Sequence, residues 1–169
     1  QCRSVPMQFT FSKGKTQLES VVFVFYKTKK IDGVQFALEE RAARNIMGNT
    51  DIDETARLAL INFMENYKTA FSLQRWDYIE SIFSDDAVII TGRKLMKSEQ
   101  NSDMSLQLHG YVYNKMSKGE YINRLKRTKK EWINIKFGNT KVEQRQQSSM
   151  YGICLLQDYY SSNYGEHGY

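Results

Sequence analysis

The sequence predicts an α+β fold, and three observations carry this prediction. Apolar side chains recur at helical spacing through residues 51–73, which predicts a long amphipathic helix. A shorter apolar pattern over 74–86 predicts a second helix that ends in the acidic pair Asp85-Asp86. The apolar run at 87–90 and the alternating pattern after residue 132 are typical of strands.

Residues 1–49 are predicted to form a small β-rich unit with a short helix. Residues 7–11 and 20–26 have the alternation and the β-branched and aromatic content of strands. Residues 34–38 form a short strand or lead into a helix over 39–47. This unit is too small to hold a core of its own, so we expect it to pack on a domain that spans 50–169.

The domain 50–169 begins with the long helix. Asp51 is predicted to cap that helix, because Glu54 lies three residues further on, as in a capping box. No polar residue interrupts the apolar run 87–90, so we predict that both faces of this strand are buried.

The second half of this domain is predicted to continue with a helix and three extended segments. Ser117 and Glu120 have capping-box spacing, which predicts that a helix begins there. Basic residues are predicted at the end of this helix, where cations complement the helix dipole. Binding of phosphate or nucleic acid is the alternative role of these residues. They are Lys126, Arg127, Lys129 and Lys130. The extended segments are 132–137, 141–147 and 150–160, with Gly138-Asn139 as a bulge or a turn between the first two.

Charge and hydropathy exclude some classes of partner. The chain has 24 basic and 19 acidic residues in mixed order, for a net charge of +5. Because no nucleic-acid-binding motif accompanies this charge, nucleic acid is not a predicted partner. No run approaches the roughly 18 apolar residues of a membrane helix, so no transmembrane segment is predicted.

Metal and cofactor chemistry is not predicted either. The two cysteines, Cys2 and Cys154, and the two histidines, His109 and His167, match no zinc spacing. Cys154 lies in an apolar run and is predicted to be a small buried side chain. The sequence has no Gly-rich phosphate loop and no Gly-x-Ser-x-Gly elbow, so we predict no cofactor and no serine nucleophile.

The order of these elements resembles the NTF2-like (nuclear-transport-factor-2-like, polyketide-cyclase-like) superfamily. The most specific piece is 76–90, where Phe83-Ser84-Asp85-Asp86-Ala87 looks like a phrase common in its cyclase-like and isomerase-like members. The resemblance spans about 51–169 and implies a cone in which a bent antiparallel sheet wraps around helices. The chain also resembles envelope proteins of Bacteroides-type bacteria, which implies export after loss of an N-terminal signal.

The resemblance implies a ligand pocket lined by aromatic side chains. The candidate pocket residues are Tyr67, Phe71, Trp76, Tyr78, Tyr113, Asp158 and Tyr160. Asp158 and Tyr160 lie two apart on the last strand, and isomerase-type chemistry needs a carboxylate base and a proton donor facing one apolar cavity. They are therefore the candidate catalytic pair.

Three functions follow as hypotheses. The first is non-catalytic binding of a small apolar ligand in the cone. The second is a small acid–base enzyme of the isomerase or dehydratase kind, which requires that Asp158 does not face bulk water. The third is a structural or interaction module that forms a homodimer through its open sheet face. A cone filled by its own aromatic side chains would remove the first two hypotheses.

The ends of the sequence carry two further expectations. The first residue is Gln1 rather than Met, so we expect that an upstream segment was removed, by processing or by design. The last predicted strand is followed by a turn without a returning strand before Tyr169. We therefore expect that the domain lacks its last strand or strands, or that a second subunit supplies the pairing.

Overall fold

The structure is a computed structural model that describes residues 1–10, 14–25, 27, 30–94, 107–108, 111–128, 130–144 and 150–162. In these residues the elements follow in the order β1 (Cys2–Thr10), β2 (Thr16–Phe25), β3 (Ile31–Phe36), α1 (Glu40–Met47), α2 (Glu54–Ser72), α3 (Trp76–Ile82), β4 (Val88–Lys94), β5 (Gln107–Leu108), β6 (Tyr111–Ser117), α4 (Lys118–Arg127), β7 (Ile133–Gln144) and β8 (Tyr151–Ser161).

The chain divides into two compact units. The first comprises Gln1–Arg75 and Lys130–Tyr169, and the second comprises Trp76–Lys129. This division does not coincide with the expected boundary at residue 49. The reason is that α1 and α2 contact each other and both contact β7, while α2 also contacts β3. The N-terminal strands therefore share one unit with the long helix.

The first unit contains two separate antiparallel sheets. Strands β1, β2 and β3 pair in sequence order, and β7 pairs with β8. The register of β7 against β8 shifts between Phe137 and Thr140, which confirms a bulge at Gly138-Asn139 rather than a turn. The apolar core combines residues from β2, both helices and β7. Its most buried members include Val21, Val22, Ala42, Ile46, Ile133, Ile135 and Phe137.

The second unit packs two helices with a small antiparallel sheet of strand order β4-β6-β5. Among the described residues of this unit, the buried apolar ones are Ile79, Ile122 and Leu125. The ring of Phe83, just after α3, meets the ring of Tyr121 from α4 edge-on, with 5.8 Å between centroids. α4 also contacts β4 and β6, so one face of this sheet is the packed face.

The α+β class is confirmed, because the described residues contain both helices and antiparallel sheets. The described strands form three separate sheets. The cone, which requires one bent sheet wrapped around helices, stays a prediction.

The start of the long helix is a correction. The N-cap is Asp53, whose side chain accepts a hydrogen bond from the Ala56 backbone N–H at 2.9 Å. Asp51 is exposed, and its own N–H donates to the Asn49 side chain. Both aspartates suit an N-cap, so composition could not choose between them. The capping box of Ser117 and Glu120 is confirmed in both of its halves.

Two burial predictions are wrong. Val88 and Ile90 are 57% and 64% exposed, so one face of β4 is open rather than buried. Cys154 is exposed on β8 as a free thiol, because residues on that side of the strand alternate away from the core. The two histidines, and residues 145–147 of the expected strand 141–147, lie outside the described residues.

Candidate functional site

The predicted pocket residues of the first unit are Tyr67, Phe71, Asp158 and Tyr160. Phe71 is only 3% exposed. Its ring lies 5.6 Å from the ring of Tyr67 and 6.1 Å from that of Tyr159, measured between centroids, and Tyr67 lies 6.2 Å from Phe137. These distances are those of packed aromatic pairs. The two aromatic side chains of the long helix therefore pack against each other and against rings of β7 and β8.

The candidate catalytic pair is placed on β8. Asp158 pairs across the strands with Lys136, and both side chains are exposed. Tyr160 is half-buried opposite Asn134. A carboxylate becomes a stronger base than it is in water only when its site excludes water. The exposure of Asp158 removes the condition on which the acid–base hypothesis depends.

The remaining candidates belong to the second unit. Trp76 is half-buried at the first position of α3, and Tyr78, on the same helix, is 37% exposed. Tyr113 lies on β6 and is 47% exposed. The seven candidates are therefore distributed over both units, four in the first and three in the second.

The structure contains a buried ionic cluster that the sequence analysis missed. Lys68 on α2 has a side chain only 2% exposed. Its Nζ donates to Glu39 Oε1 at 2.7 Å, to the Ala37 carbonyl at 2.9 Å and to Glu19 Oε2 at 3.4 Å. An ammonium group has three N–H donors, so these three acceptors satisfy it completely.

The carboxylates of this cluster are themselves held by further donors. Glu19 Oε1 accepts from Asn134 Nδ2 at 2.9 Å and from Gln17 Nε2 at 2.6 Å. Glu39 Oε2 accepts from the backbone N–H of Phe137 at 2.8 Å. The cluster thus links β2, α2 and β7 by charge-assisted hydrogen bonds.

A second buried carboxylate lies one helical turn away. Glu65 is 1% exposed, and Arg3 Nη1 approaches its two oxygens at 2.6 and 2.7 Å. The Leu38 backbone N–H also donates to Glu65, at 3.3 Å. Arg3 lies on β1, so this ion pair ties the first strand to the long helix.

The hydrogen bonds of these charged groups are satisfied within the protein, which indicates a structural role. A catalytic or binding group needs a donor or acceptor left for substrate, and the Lys68 ammonium has none left. The cluster therefore positions strands on the helix. The sequence contained a signal for this cluster, because its charged residues share a helical face with apolar ones. Glu65 lies four residues after Ile61, and Lys68 lies four residues after Met64 and three before Phe71.

The open face of β4 exposes apolar side chains of the second unit. Val88 and Ile90 lie two apart and thus on the same face of the sheet. Cross-strand pairing places Lys115 opposite Ile90 and Tyr113 opposite Gly92, so Tyr113 belongs to this face as well. We refer to Val88, Ile90 and Tyr113 as the open β4 face.

The acidic turn after α3 has a structural role. Lys118 Nζ donates to Asp85 at 2.7 Å, and this hydrogen bond lowers the pKa of the exposed Asp85 carboxyl below its usual range. Asp86 accepts from the Ser84 hydroxyl. The hydrogen bonds that Glu120 accepts from the backbone and side chain of Ser117 likewise lower the pKa of Glu120.

Neither a metal cluster nor a membrane span emerges from the described residues. In that part of the chain, no three His, Cys, Asp or Glu side chains converge as a metal site would require. None of its helices has the length and apolarity needed to cross a bilayer.

Comparison with known proteins gave no relative: no family model, no curated protein and no solved structure matches the chain. The resemblance to the NTF2-like superfamily therefore stays a prediction.

Proposed function

We propose that the protein is a non-catalytic interaction module that associates with a second copy of itself through the open β4 face. The observation that carries this proposal is the exposure of Val88, Ile90 and Tyr113, which is 57%, 64% and 47%. These side chains are adjacent on one sheet face rather than scattered, and contiguous exposed apolar surface marks interaction sites.

Burial of this face is favourable on simple energetic grounds. Removing apolar surface from water contributes about 25 cal/mol per Å², so covering a mostly exposed Val or Ile contributes on the order of 1 kcal/mol. The apolar run 87–90 carries a strand pattern typical of burial on both faces. A second surface laid on β4 would satisfy that pattern.

A second copy is the simplest occupant of the face. It presents the same exposed apolar side chains, and two-fold homodimers are the commonest assemblies. Two sheets pack well face to face when their side chains are short and branched, as Val88 and Ile90 are. Lys115, the one charged residue paired with this apolar set, can extend its amine to the rim while its stem covers apolar surface.

The expected dimer is weak. A stable interface buries about 800 Å² per partner, and three side chains supply only the apolar centre of such a surface. We therefore expect a reversible association in the micromolar range rather than an obligate dimer.

The other two hypotheses gain less support. Phe71 packs against the rings of Tyr67 and Tyr159, which gives the binding of a small apolar ligand in the first unit less support. Binding of such a ligand stays a prediction. The acid–base enzyme depended on Asp158, which is exposed.

Sedimentation velocity over a concentration series tests the proposal. The test variant replaces Val88 and Ile90 by Thr, which keeps β-branching and strand propensity while removing apolar surface. The matched control replaces Leu18 and Ile31 by Thr, since both are exposed strand residues of the first unit.

We expect the wild type and the control to show the same concentration-dependent rise in sedimentation coefficient. The Val88→Thr, Ile90→Thr variant should remain a monomer with an unchanged circular dichroism spectrum. A wild type that is monomeric at every concentration would contradict the proposal, and so would a test variant that dimerises as strongly as the control.

A further inference from the structure

We propose that the exposed side of α4 in the second unit binds a small anion that carries a phosphate group, through Arg124 and Arg127. A concave region of about 430 Å³ lies against this helix. Its described lining residues are Glu120, Asn123, Arg124, Arg127 and Thr128.

The helix places these groups on one side. Positions 120, 123, 124 and 127 are separated by three or four residues, which puts them in a single stripe along α4. Two guanidinium groups one turn apart present planar sets of N–H donors, and that geometry matches phosphate oxygens. The amide of Asn123 adds a neutral donor beside them.

In the part of the chain that the structure describes, carboxylates pair with the lysines on one side of α4 but not with the two arginines of the proposed site. Lys126 forms ion pairs with Glu80 at 2.8 Å and Asp77 at 3.2 Å, and Lys118 pairs with Asp85 at 2.7 Å. Within the described residues, neither Arg124 nor Arg127 has a carboxylate partner; the Arg124 guanidinium reaches only the Met116 sulfur, at 4.0 Å. The neighbouring lysines are paired with carboxylates, whereas these two arginines can pair with an anionic ligand.

The acidic and hydroxyl groups of the lining hydrogen-bond to groups other than the two guanidiniums. The Glu120 carboxylate accepts hydrogen bonds from the backbone N–H and the hydroxyl of Ser117, both at 2.8 Å, and so completes the helix cap. The Thr128 hydroxyl donates to the Arg124 carbonyl at 3.1 Å. The donors left for an anion are therefore the two guanidinium groups and the Asn123 amide.

The volume of the concavity leaves room for more than a bare phosphate ion. About 430 Å³ lies in the range of small-molecule sites, roughly 300–1,000 Å³, and exceeds what a bare phosphate ion fills. A diphosphate or a phosphate ester of a small organic group fits both the volume and the pair of guanidiniums. The competing role for these arginines is to complement the negative end of the helix dipole, which requires no ligand.

Isothermal titration calorimetry with inorganic pyrophosphate at low ionic strength tests the site. The test variant carries Arg124→Gln and Arg127→Gln, and a second variant carries Arg124→Lys and Arg127→Lys. The matched control carries Arg41→Gln and Arg44→Gln. These two arginines lie three residues apart on the exposed side of α1, so the control removes the same number of positive charges. Glutamine is a good helix former, so all three variants should fold.

We expect saturable binding by the wild type and by the control, with dissociation constants within a factor of two of each other. The glutamine pair should bind at least tenfold more weakly. The lysine pair, which keeps the charge but loses the planar fork, should fall between them. Vesicles of phosphatidylcholine, with and without phosphatidic acid, distinguish a lipid headgroup from a free anion as the source of the phosphate.

Arginine-dependent binding to free pyrophosphate, or only to the vesicles that contain phosphatidic acid, would support the site and identify its source of phosphate. Absence of saturable binding to either probe would overturn it. Equal weakening in the test and control variants would overturn it as well, because net charge alone would then explain the binding.

Discussion

Lys68 is the residue whose environment departs furthest from its ordinary preference. Lysine is almost never fully buried unless it is paired, and here its ammonium is enclosed by Glu19, Glu39 and a backbone carbonyl. Such a group contributes little net stability, because its desolvation cost offsets its attraction to the carboxylates. The loss of one partner is destabilising, because the remaining charges stay buried without compensation.

Replacement of Lys68 by Met should lower the free energy of unfolding by about 3 kcal/mol, because the substitution leaves two carboxylates near one another without their cation. Urea denaturation measures this value. Lys136→Met is the control, since Lys136 is exposed and should change stability by less than about 0.5 kcal/mol. Similar losses in the two variants would contradict the role assigned to the cluster.

At the scale of elements, the long helix shows how charges decide which side of a helix is buried. Phe63 belongs to the apolar pattern of residues 51–73, yet its side chain is 42% exposed. Glu65, Lys68 and Thr69 are buried in its place. The hydroxyl of Thr69 accepts a hydrogen bond from the Phe36 backbone N–H at 2.7 Å and donates one to the Glu65 carbonyl. This polar side of α2 therefore hydrogen-bonds directly to strand β3.

Helix capping provides a prediction at this scale. Asp53→Ala should destabilise the protein by about 1 kcal/mol, because it removes the acceptor for the Ala56 N–H at the start of α2. Asp51→Ala, two residues earlier, should have an effect within about 0.5 kcal/mol. Urea denaturation of both variants compares the two positions, and a larger loss for Asp51→Ala would show that the cap is misassigned.

At the scale of the whole molecule, the two compact units differ in how fully they bury their apolar residues. The core of the first unit draws on strands and helices from distant parts of the sequence. In the described part of the second unit, the buried apolar residues are three, and Val88 and Ile90 remain exposed. Small units with limited cores commonly gain stability from association.

Self-association should therefore appear in thermal unfolding as well as in hydrodynamics. A ligand that binds only the folded state raises its stability by mass action, and a second copy acts as such a ligand. The unfolding midpoint of the wild type should rise by about 1–3 °C for each tenfold increase in concentration above the dissociation constant. The midpoint of the Val88→Thr, Ile90→Thr variant should not depend on concentration, and a shared dependence would argue against the open β4 face as the interface.

The sequence by itself determined much of the local structure. The capping box at Ser117 and the α+β class follow from neighbouring residues, because caps and periodicity are set by interactions a few residues apart. These are the features for which a single chain segment contains all of the relevant partners.

Only the tertiary structure decided which surfaces meet. The partners of Lys68 come from positions 19, 37 and 39, and the partner of Glu65 comes from Arg3, so no local pattern could pair them. The exposure of Asp158 and of Ile90 likewise depends on which elements cover each sheet face. Alternation in a strand states that two faces differ, but the face that is covered is fixed by contacts between residues far apart in the chain.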